Sequence, residues 1–344
     1  MDNRFSQATL KKGLELTLFV SLLTLGGMFL FTIDKEVWNK VLHVRSSYLV
    51  LAMLISFSMW IVGGVRIKLV ARGLNKQLGV KDAVAIFLSG AFVSNVTPFA
   101  SGGGPIQILL LYREGFSLGK ATTVIITQFI IRLLFFGIVA PVLFFLYNDL
   151  INPQLIPNNI FDLLITLAFT MSLLIIYFAW QPEKIKVLAE KLKQIQILEL
   201  VLDQEQVNEY AAKFYQEMDE FHTSIVKLTA DNQSSLIWTG VFTIIYWLLF
   251  FSIAPVILLG LGVEPSFWQA FVVQTVFYLI LPYIPTPGGS GLAEIGFAAL
   301  FSSFVPGGVV GLLVLVWRFM TFYVVLIIGG VILLKILANS AIEV

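Results

Sequence analysis

Two ten-residue stretches decide the fold of this chain: PFASGGGPIQ at residues 98–107 and PTPGGSGLAE at residues 285–294. Aligned without gaps at a constant offset of 187 residues, they match Pro98 with Pro285, Gly102 with Gly289, Gly104 with Gly291 and Gln107 with Glu294. Glycine and proline interrupt helices, and each stretch lies within an apolar region. A broken helix persists at membrane depth only where protein buries it or a cavity adjoins it. Two breaks in corresponding places therefore predict a transporter-like binding site.

The composition excludes a soluble domain. The chain is 58% hydrophobic and 12% charged, with a mean hydropathy of +0.90, which predicts a polytopic membrane protein. A net charge of +1 without a basic run gives no indication of a nucleic-acid partner. The absence of cysteine excludes disulfides and thiolate chemistry. The two histidines, His43 and His222, lie outside the apolar spans, so we expect neither a metal site nor a cofactor.

Six apolar stretches are long enough to cross a membrane, which takes about 20 residues. They cover residues 14–33, 48–67, 121–147, 161–180, 236–260 and 309–334. The two motifs instead interrupt residues 83–112 and 267–304. A half-helix of about 14 residues reaches only about 21 Å, less than the roughly 30 Å hydrocarbon core. The sequence thus predicts an all-α polytopic membrane protein with about six full transmembrane helices and two re-entrant helical hairpins.

The distribution of Lys and Arg orients this topology. Basic residues concentrate before the first span and in 66–82, 113–120 and 181–232, whereas 148–160, 261–266 and 305–308 contain none. Both termini are therefore expected to be cytoplasmic, although Lys35, Lys40 and Arg45 run against the rule. Arg66 and Arg113 fit the cytoplasmic interface better than a binding site. The two hairpins would enter from opposite faces, as in an inverted repeat.

The longest polar segment divides the chain. We assign residues 1–180 to a first transmembrane half, 181–235 to a cytoplasmic amphipathic connector and 236–344 to a second half. Apolar residues recur in the connector at helical spacing, at Val207, Tyr210, Ala211, Phe214, Met218, Phe221, Ile225 and Leu228. A connector packed against the transmembrane helices is the favoured interpretation. A docking site for a partner is the alternative.

The motifs have the chemistry of an anion site. A helix starting at Gly104 or Pro105 would direct free N–H groups and its positive dipole end into the membrane interior. The second motif predicts a similar start at Ser290 or Gly291, with Glu294 in the first turn. Glycine permits close approach of a ligand to the backbone. Phosphate is the anion that we expect.

Two arginines lie within apolar spans, Arg132 and Arg318. Each costs about 2.5–3.5 kcal/mol on insertion scales unless a partner or a wet cavity receives it. Glu294 is the natural partner of one, which leaves the other for a ligand. The predicted substrate-binding residues are Pro98, Gly102, Gly103, Gly104, Gln107, Arg132, Pro285, Pro287, Gly288, Gly289, Gly291, Glu294 and Arg318. A purely structural ion pair, with glycines that serve close helix packing, is the alternative.

These residues resemble a known family. Thr97-Pro98, Gly102-Gly103-Gly104-Pro105, Gln107 and the run from Arg113 to Ser117 look like one motif of flippase-like membrane proteins related to the lysylphosphatidylglycerol synthetase/flippase transmembrane domain. The run from Pro285 to Gly291, with Glu294 and Arg318, resembles the other motif. The resemblance implies a membrane protein of bacteria or archaea that moves polar lipids between leaflets. Gly103 and Gln107 differ from the aminoacyl-lipid branch, which often carries an acidic and a basic residue there, and we expect no synthetase domain.

The leading hypothesis is a lipid translocase of the cytoplasmic membrane. Its partner would be a phospholipid or a polyprenyl-phosphate-type lipid, and a second copy of the chain or a lipid-modifying enzyme is a further candidate partner. No G-x-x-x-x-G-K-[ST] motif is present, so this chain does not use ATP. Three alternatives stay open: an intramembrane enzyme with Glu294 as its acid/base, a small-anion transporter, and a scaffold. A transporter is favoured over an enzyme.

Overall fold

A computed structural model describes residues 44–147 and 204–340 continuously, with isolated residues from 15 to 26 and from 163 to 184. The continuous ranges form ten α-helices and contain no strand. Their bounds are α1 Ser46–Gly73, α2 Val80–Val96, α3 Gly103–Arg113, α4 Leu118–Tyr147, α5 Gln204–Ala230, α6 Gln233–Gly260, α7 Phe267–Ile280, α8 Leu292–Phe301, α9 Gly307–Arg318 and α10 Val324–Ser340. A π-helical segment, Phe319–Tyr323, joins α9 to α10.

An all-α polytopic membrane fold is confirmed. Four helical stretches of the described residues are long and apolar enough to cross a membrane: Ser46–Gly73, Leu118–Leu143, Gln233–Gly260 and Gly307–Ala338. They coincide with four of the six predicted spans. The other two, 14–33 and 161–180, lie outside the continuously described residues. The two interrupted regions, residues 83–112 and 267–304, contain apolar helices that are each too short to cross the membrane.

A threonine–proline pair lies in each helix break. α2 ends at Val96 because Thr97, before Pro98, is extended (φ −117°, ψ 143°), as proline requires of the preceding residue. A 3₁₀ turn, Pro98–Ala100, then leads into α3. α7 ends earlier, at Ile280, and a 3₁₀ turn, Leu281–Tyr283, follows it. Thr286 is then extended (φ −80°, ψ 144°) before a second 3₁₀ turn, Pro287–Gly289, which leads into α8.

The structure changes the correspondence between the two motifs. The turn Pro98–Ala100 matches Pro287–Gly289, and their central residues have nearly the same backbone angles: φ 54°, ψ 19° at Phe99 and φ 60°, ψ 16° at Gly288. The helix N-caps are Gly102 and Gly291. The offset is thus 189 residues, and the ungapped alignment at 187 was wrong by two. The new correspondence matches residues that have the same backbone geometry in the two turns. The ungapped alignment matched residues of the same type instead.

The same order of elements occurs twice in the described residues. Each set begins with a 28-residue helix (α1 or α6), followed by a shorter helix (α2 or α7) and a 3₁₀ turn. A short helix (α3 or α8) and a long helical stretch (α4 or α9–α10) complete the set. α1 and α6 pack along each other and run antiparallel, because Arg45 N–H donates to the Gly260 carbonyl at 2.9 Å and Gly73 lies against Ser235. α2 contacts α10 as α7 contacts α4. Each half therefore packs into the other.

Helix α5 covers the described part of the predicted connector and packs on the start of α4. Of the predicted apolar positions, Phe221, Ile225 and Leu228 are buried. The Gly119 N–H donates to Glu217 Oε2 at 2.6 Å, and Lys120 Nζ lies 2.9 Å from Glu220 Oε1. These contacts agree with the interpretation of a connector packed against the bundle. Residues 181–203 of the predicted connector lie outside the continuously described ranges.

Acid should loosen this contact. Burial alone would raise the pKa of Glu220, but hydrogen bonds with Ser117 and Lys120 and the nearby lysine charges lower it below the ordinary 4.5. A carboxyl whose folded-state pKa is lowered stabilises the fold above the unfolded pKa, and this contribution disappears as pH falls through the folded pKa. Because the chain has no cysteine, spin labels at Lys213→Cys and Tyr112→Cys report the α5–α3 distance cleanly. We expect the distance distribution to broaden below pH 4.5.

Glu220→Gln is the control, because glutamine cannot gain a proton in this range. Its distance distribution should be broader at neutral pH and should change less on acidification. A wild-type distribution that stays constant through the acid range would contradict a role for Glu220 in holding α5.

Candidate functional site

The two helix breaks meet. The turn Pro98–Ala100 contacts the turn Pro287–Gly289, and α2 contacts the second turn as well. Gly288 lies so close to the Asn95 carbonyl that a Cβ there would be 2.7 Å from the oxygen. The structure therefore brings together the predicted glycines and prolines of both motifs. Pro285, at the approach to the second turn, is exposed, whereas Pro287 is buried.

Side chains of α2 organise the first break. Thr97 Oγ1 donates to the Val93 carbonyl at 2.8 Å and accepts from the Gly102 N–H at 3.0 Å, so it links the end of α2 to the N-cap residue of α3. A Cβ on Gly103 would overlap the hydroxyl of Ser94, whereas Gly104 faces open space apart from Ile125 at 3.8 Å. Gly102 and Gly103 thus serve close packing, and Gly104 alone of the three leaves room beside the backbone.

Gln107 packs against α2 across Gly90, where an added Cβ would lie 2.4 Å from Nε2. Phe99 and Ala100 take left-handed backbone angles, with φ of 54° and 52°. L-residues rarely adopt this region, and such strain concentrates at functional sites. Phe99 is 55% exposed. The first break therefore presents a strained turn with an accessible aromatic side chain.

A buried ion pair holds the second break. Arg318 Nε donates to Glu294 Oε1 at 2.8 Å, and its Nη2 donates to the Gly288 carbonyl at 3.1 Å. Glu294 Oε2 accepts from the Gly291 N–H at 2.7 Å. Glu294 is fully buried and Arg318 is 4% exposed. Arg318 is therefore the partner of Glu294, a choice that the sequence left open.

Glu294 lies in the first turn of α8, as the sequence predicts. Negative charge is most favourable at that end of a helix. Both oxygens of Glu294 accept hydrogen bonds, one from a guanidinium and the other from a backbone amide. We call this arrangement of Glu294 and Arg318 the clasp, because it ties the break to α9.

Arg132 has no such clasp. It lies on α4 with its guanidinium carbon 4.9 Å from the ring centre of Phe129, and it forms no ion pair within the described residues. Its side chain is half-buried. Arg132 is therefore the arginine that the sequence analysis reserved for a ligand. At the offset of 189 residues the counterpart of Glu294 is Pro105, so the first motif supplies no carboxylate at that position.

Arg66 is a residue that the sequence analysis missed. It was placed at the cytoplasmic interface, but it is only 6% exposed, and its guanidinium carbon lies 5.3 Å from the ring centre of Tyr246 on α6. Its Nε is enclosed and has no hydrogen-bond partner. The pair Gly63-Gly64, just before it, allows α2 to approach within contact of α1. These two glycines are the feature of the sequence that indicates close packing of α1 next to Arg66.

Two amide side chains within the helices form hydrogen bonds to backbone carbonyls. Gln274 is fully buried, and its Nε2 donates to the carbonyls of Phe251 at 2.9 Å and Ala270 at 3.0 Å, which joins α7 to α6. Gln128 Nε2 donates to the Val124 carbonyl on its own helix at 3.5 Å. The amide nitrogens of both residues are thus engaged, whereas Oε1 of Gln274 is buried without a hydrogen-bond partner.

Fold and site together define a class of protein: a polytopic helical membrane protein whose two sets of helices meet at paired breaks. The chain belongs to the family described as "Lysylphosphatidylglycerol synthase TM region", whose model matches residues 16–329. It is similar to a protein of Archaeoglobus fulgidus described as "UPF0104 membrane protein", with 24% identity over 317 residues that cover 91% of this chain and 94% of the relative. The family predicted from the two motifs is thereby confirmed.

Proposed function

We propose that this protein is a flippase-like translocase that moves a phosphate-bearing lipid or lipid-linked intermediate between leaflets. The observation that carries the proposal is the direct contact of the turns Pro98–Ala100 and Pro287–Gly289 between the two sets of helices. Paired helix breaks at a repeat interface are the typical location of a transporter's substrate site. The headgroup would enter beside the breaks while the chains stay in lipid. Membership of the family supports this function.

The predicted topology belongs to the same proposal. Residues 83–112 and 267–304 would be re-entrant hairpins that enter from opposite faces, with six full spans and both termini in the cytoplasm. The antiparallel packing of α1 against α6, which hold corresponding places in the two sets, supports an inverted repeat. Such symmetry lets one set rock against the other and expose the same site to each leaflet in turn. The host membrane would be the cytoplasmic membrane of a bacterium or archaeon.

The structure weighs against an intramembrane enzyme. General acid/base catalysis needs a group within reach of the reacting proton, and the carboxylate of Glu294 is engaged on both oxygens. A small-anion transporter would use the same charged site, so sealed-vesicle uptake separates that alternative from lipid movement. The binding roles of Pro98, Gly104, Gln107 and Arg132 are part of the proposal.

The test is leaflet exchange in proteoliposomes. Fluorescent phosphatidylglycerol in the inner leaflet is protected from dithionite until it reaches the outer leaflet. We expect exchange at least tenfold faster with wild-type protein than in protein-free liposomes, and a loss of most of this gain in Arg132→Gln. Arg72→Gln is the matched control, because Arg72 is exposed and its loss removes the same charge.

Equal rates with and without protein for phosphatidylglycerol, phosphatidic acid and undecaprenyl phosphate would overturn the proposal. Rapid uptake of inorganic phosphate in place of lipid exchange would identify a small-anion transporter. Unchanged exchange in Arg132→Gln would remove Arg132 from the substrate site and leave the translocase activity standing.

A further inference from the structure

Two arginines and a tyrosine lie together among α1, α4 and α6. Arg66 stacks over Tyr246 at 5.3 Å. α4 contacts the same part of α6. The ring centres of Phe135 and Phe136 lie 6.1 and 4.7 Å from that of Trp247. These phenylalanines follow Arg132 by one helix turn, and Trp247 is the neighbour of Tyr246. α1, which carries Arg66, and α4, which carries Arg132, contact each other, and both contact α6. The tertiary fold thus gathers two positive charges from residues 66 positions apart in sequence.

Neither Arg66 nor Arg132 forms an ion pair with any residue that the structure describes. The carboxylate of Glu294 is held by Arg318. A guanidinium in the membrane interior is costly unless a partner or a wet cavity receives it, and two such groups repel each other. The Arg66 Nε is enclosed without any hydrogen-bond partner. The cluster therefore has unsatisfied positive charge and unsatisfied donors.

The surroundings show where an anion would fit. Arg132, Tyr246 and Tyr278 are each half-buried, so each keeps part of its surface accessible. Tyr278 lies 5.5 Å from Trp247 and 4.8 Å from Phe250, ring centre to ring centre. These aromatic side chains, with two arginines nearby, suit a ligand that has an anionic headgroup.

We infer that Arg66 and Arg132 together bind the phosphate group of a ligand in the space between α1, α4 and α6. Guanidinium groups match phosphate oxygens with paired N–H donors, and phosphate supplies the negative charge that the protein lacks there. Tyr246 positions Arg66 through its ring face. This site rests on the proposed function in one respect: the ligand of the working protein would be the headgroup phosphate of the transported lipid.

Binding is measured first, apart from transport. Protein in a maltoside detergent, stripped of lipid, is titrated with phosphatidylglycerol and observed by native mass spectrometry. Diacylglycerol, which lacks the phosphate, and inorganic phosphate as a competitor distinguish the parts of the ligand. We expect tight binding of phosphatidylglycerol, none of diacylglycerol, and at least a tenfold weaker affinity in Arg66→Gln and in Arg132→Gln. Arg72→Gln, an exposed position on the same helix as Arg66, should bind as wild type.

Two further variants distinguish a loss of ligand binding from a loss of folding. Arg66→Lys keeps the charge but not the paired donors, and we expect an intermediate affinity. Tyr246→Phe keeps the ring over Arg66 and should bind within about threefold of wild type. Inorganic phosphate should raise the melting temperature of the wild type, because a ligand of the native state stabilises it, and should not raise that of the folded Arg132→Gln.

Each outcome decides one question. Equal affinity in wild type, Arg66→Gln and Arg132→Gln would overturn the site even if wild-type protein exchanges lipid between leaflets. Arginine-dependent phosphate binding without any leaflet exchange would uphold the site and overturn the translocase. Competition by inorganic phosphate at micromolar concentration would identify the free ion as ligand, whereas competition only at high millimolar concentration would identify a lipid headgroup.

Discussion

Glu294→Ala should lower the free energy of unfolding by about 3–5 kcal/mol, the usual cost of leaving one partner of a buried ion pair behind. The substitution strands the guanidinium of Arg318, which is 4% exposed, and removes the acceptor of the Gly291 N–H. Arg318→Ala should cost a similar amount, because it strands the carboxylate and frees the Gly288 carbonyl. Titration with sodium dodecyl sulfate in mixed micelles measures the loss, with tryptophan fluorescence as the signal, since Trp317 adjoins Arg318.

Two controls make this result specific. Glu220→Gln breaks the pair with Lys120, whose side chains are about one-third exposed, and should cost less than about 1 kcal/mol because surface pairs contribute little. The double variant Glu294→Ala with Arg318→Ala should lose less than the sum of the two single losses, because neither charge is then left alone. Additive losses would show that the two residues act independently and that the clasp is not a unit.

Gly288→Ala should destabilise the protein by about 3 kcal/mol. The left-handed backbone at φ 60° costs an L-residue about 1–2 kcal/mol. In addition, the new methyl group would lie 2.4 Å from the ring of Phe322 and 2.7 Å from the Asn95 carbonyl, and such overpacking costs about 1–3 kcal/mol. The same detergent titration measures the loss. We also expect slower leaflet exchange in the fraction that folds, because this glycine is where the two breaks touch.

Gly262→Ala separates the two causes. Gly262 also has a left-handed backbone, at φ 74°, but an added methyl group meets nothing within 4 Å, so only the backbone strain applies. Gly240→Ala, in the open middle of α6, should be neutral or stabilising by up to about 1 kcal/mol. If Gly288→Ala and Gly262→Ala lose the same free energy, the close contact between the two breaks contributes nothing to stability.

The function of the clasp follows from its place. It ties the break between α7 and α8 to α9 with a charge pair that the protein itself supplies, so the second motif is internally satisfied. The first motif has a strained turn and an accessible ring at Phe99, and the unpaired arginines lie apart from the clasp. We therefore expect the second break to stay rigid during transport and the ligand to bind near Arg66 and Arg132.

Local chemistry allowed much of this to be predicted from the sequence. Apolar length located the four described spans, and the glycine- and proline-rich motifs at 98–107 and 285–294 located both helix breaks, because these residues interrupt helices whatever the surroundings. The periodic apolar residues of α5 likewise indicated its buried face. Family membership was predictable because the paired motifs are short, dense in glycine and proline, and located in corresponding places.

Only the tertiary structure decided which charges meet. Arg132 and Arg318 look equivalent in sequence, yet the structure places only Arg318 against Glu294. Arg66 looked like an interfacial residue because it opens a basic segment, but the glycines before it bring α2 close and bury it. Pairing of charges depends on distances of a few ångströms between residues far apart in the chain, and such distances are set by the packing of whole helices. Helix breaks are set by neighbouring residues, so the sequence alone was sufficient for them.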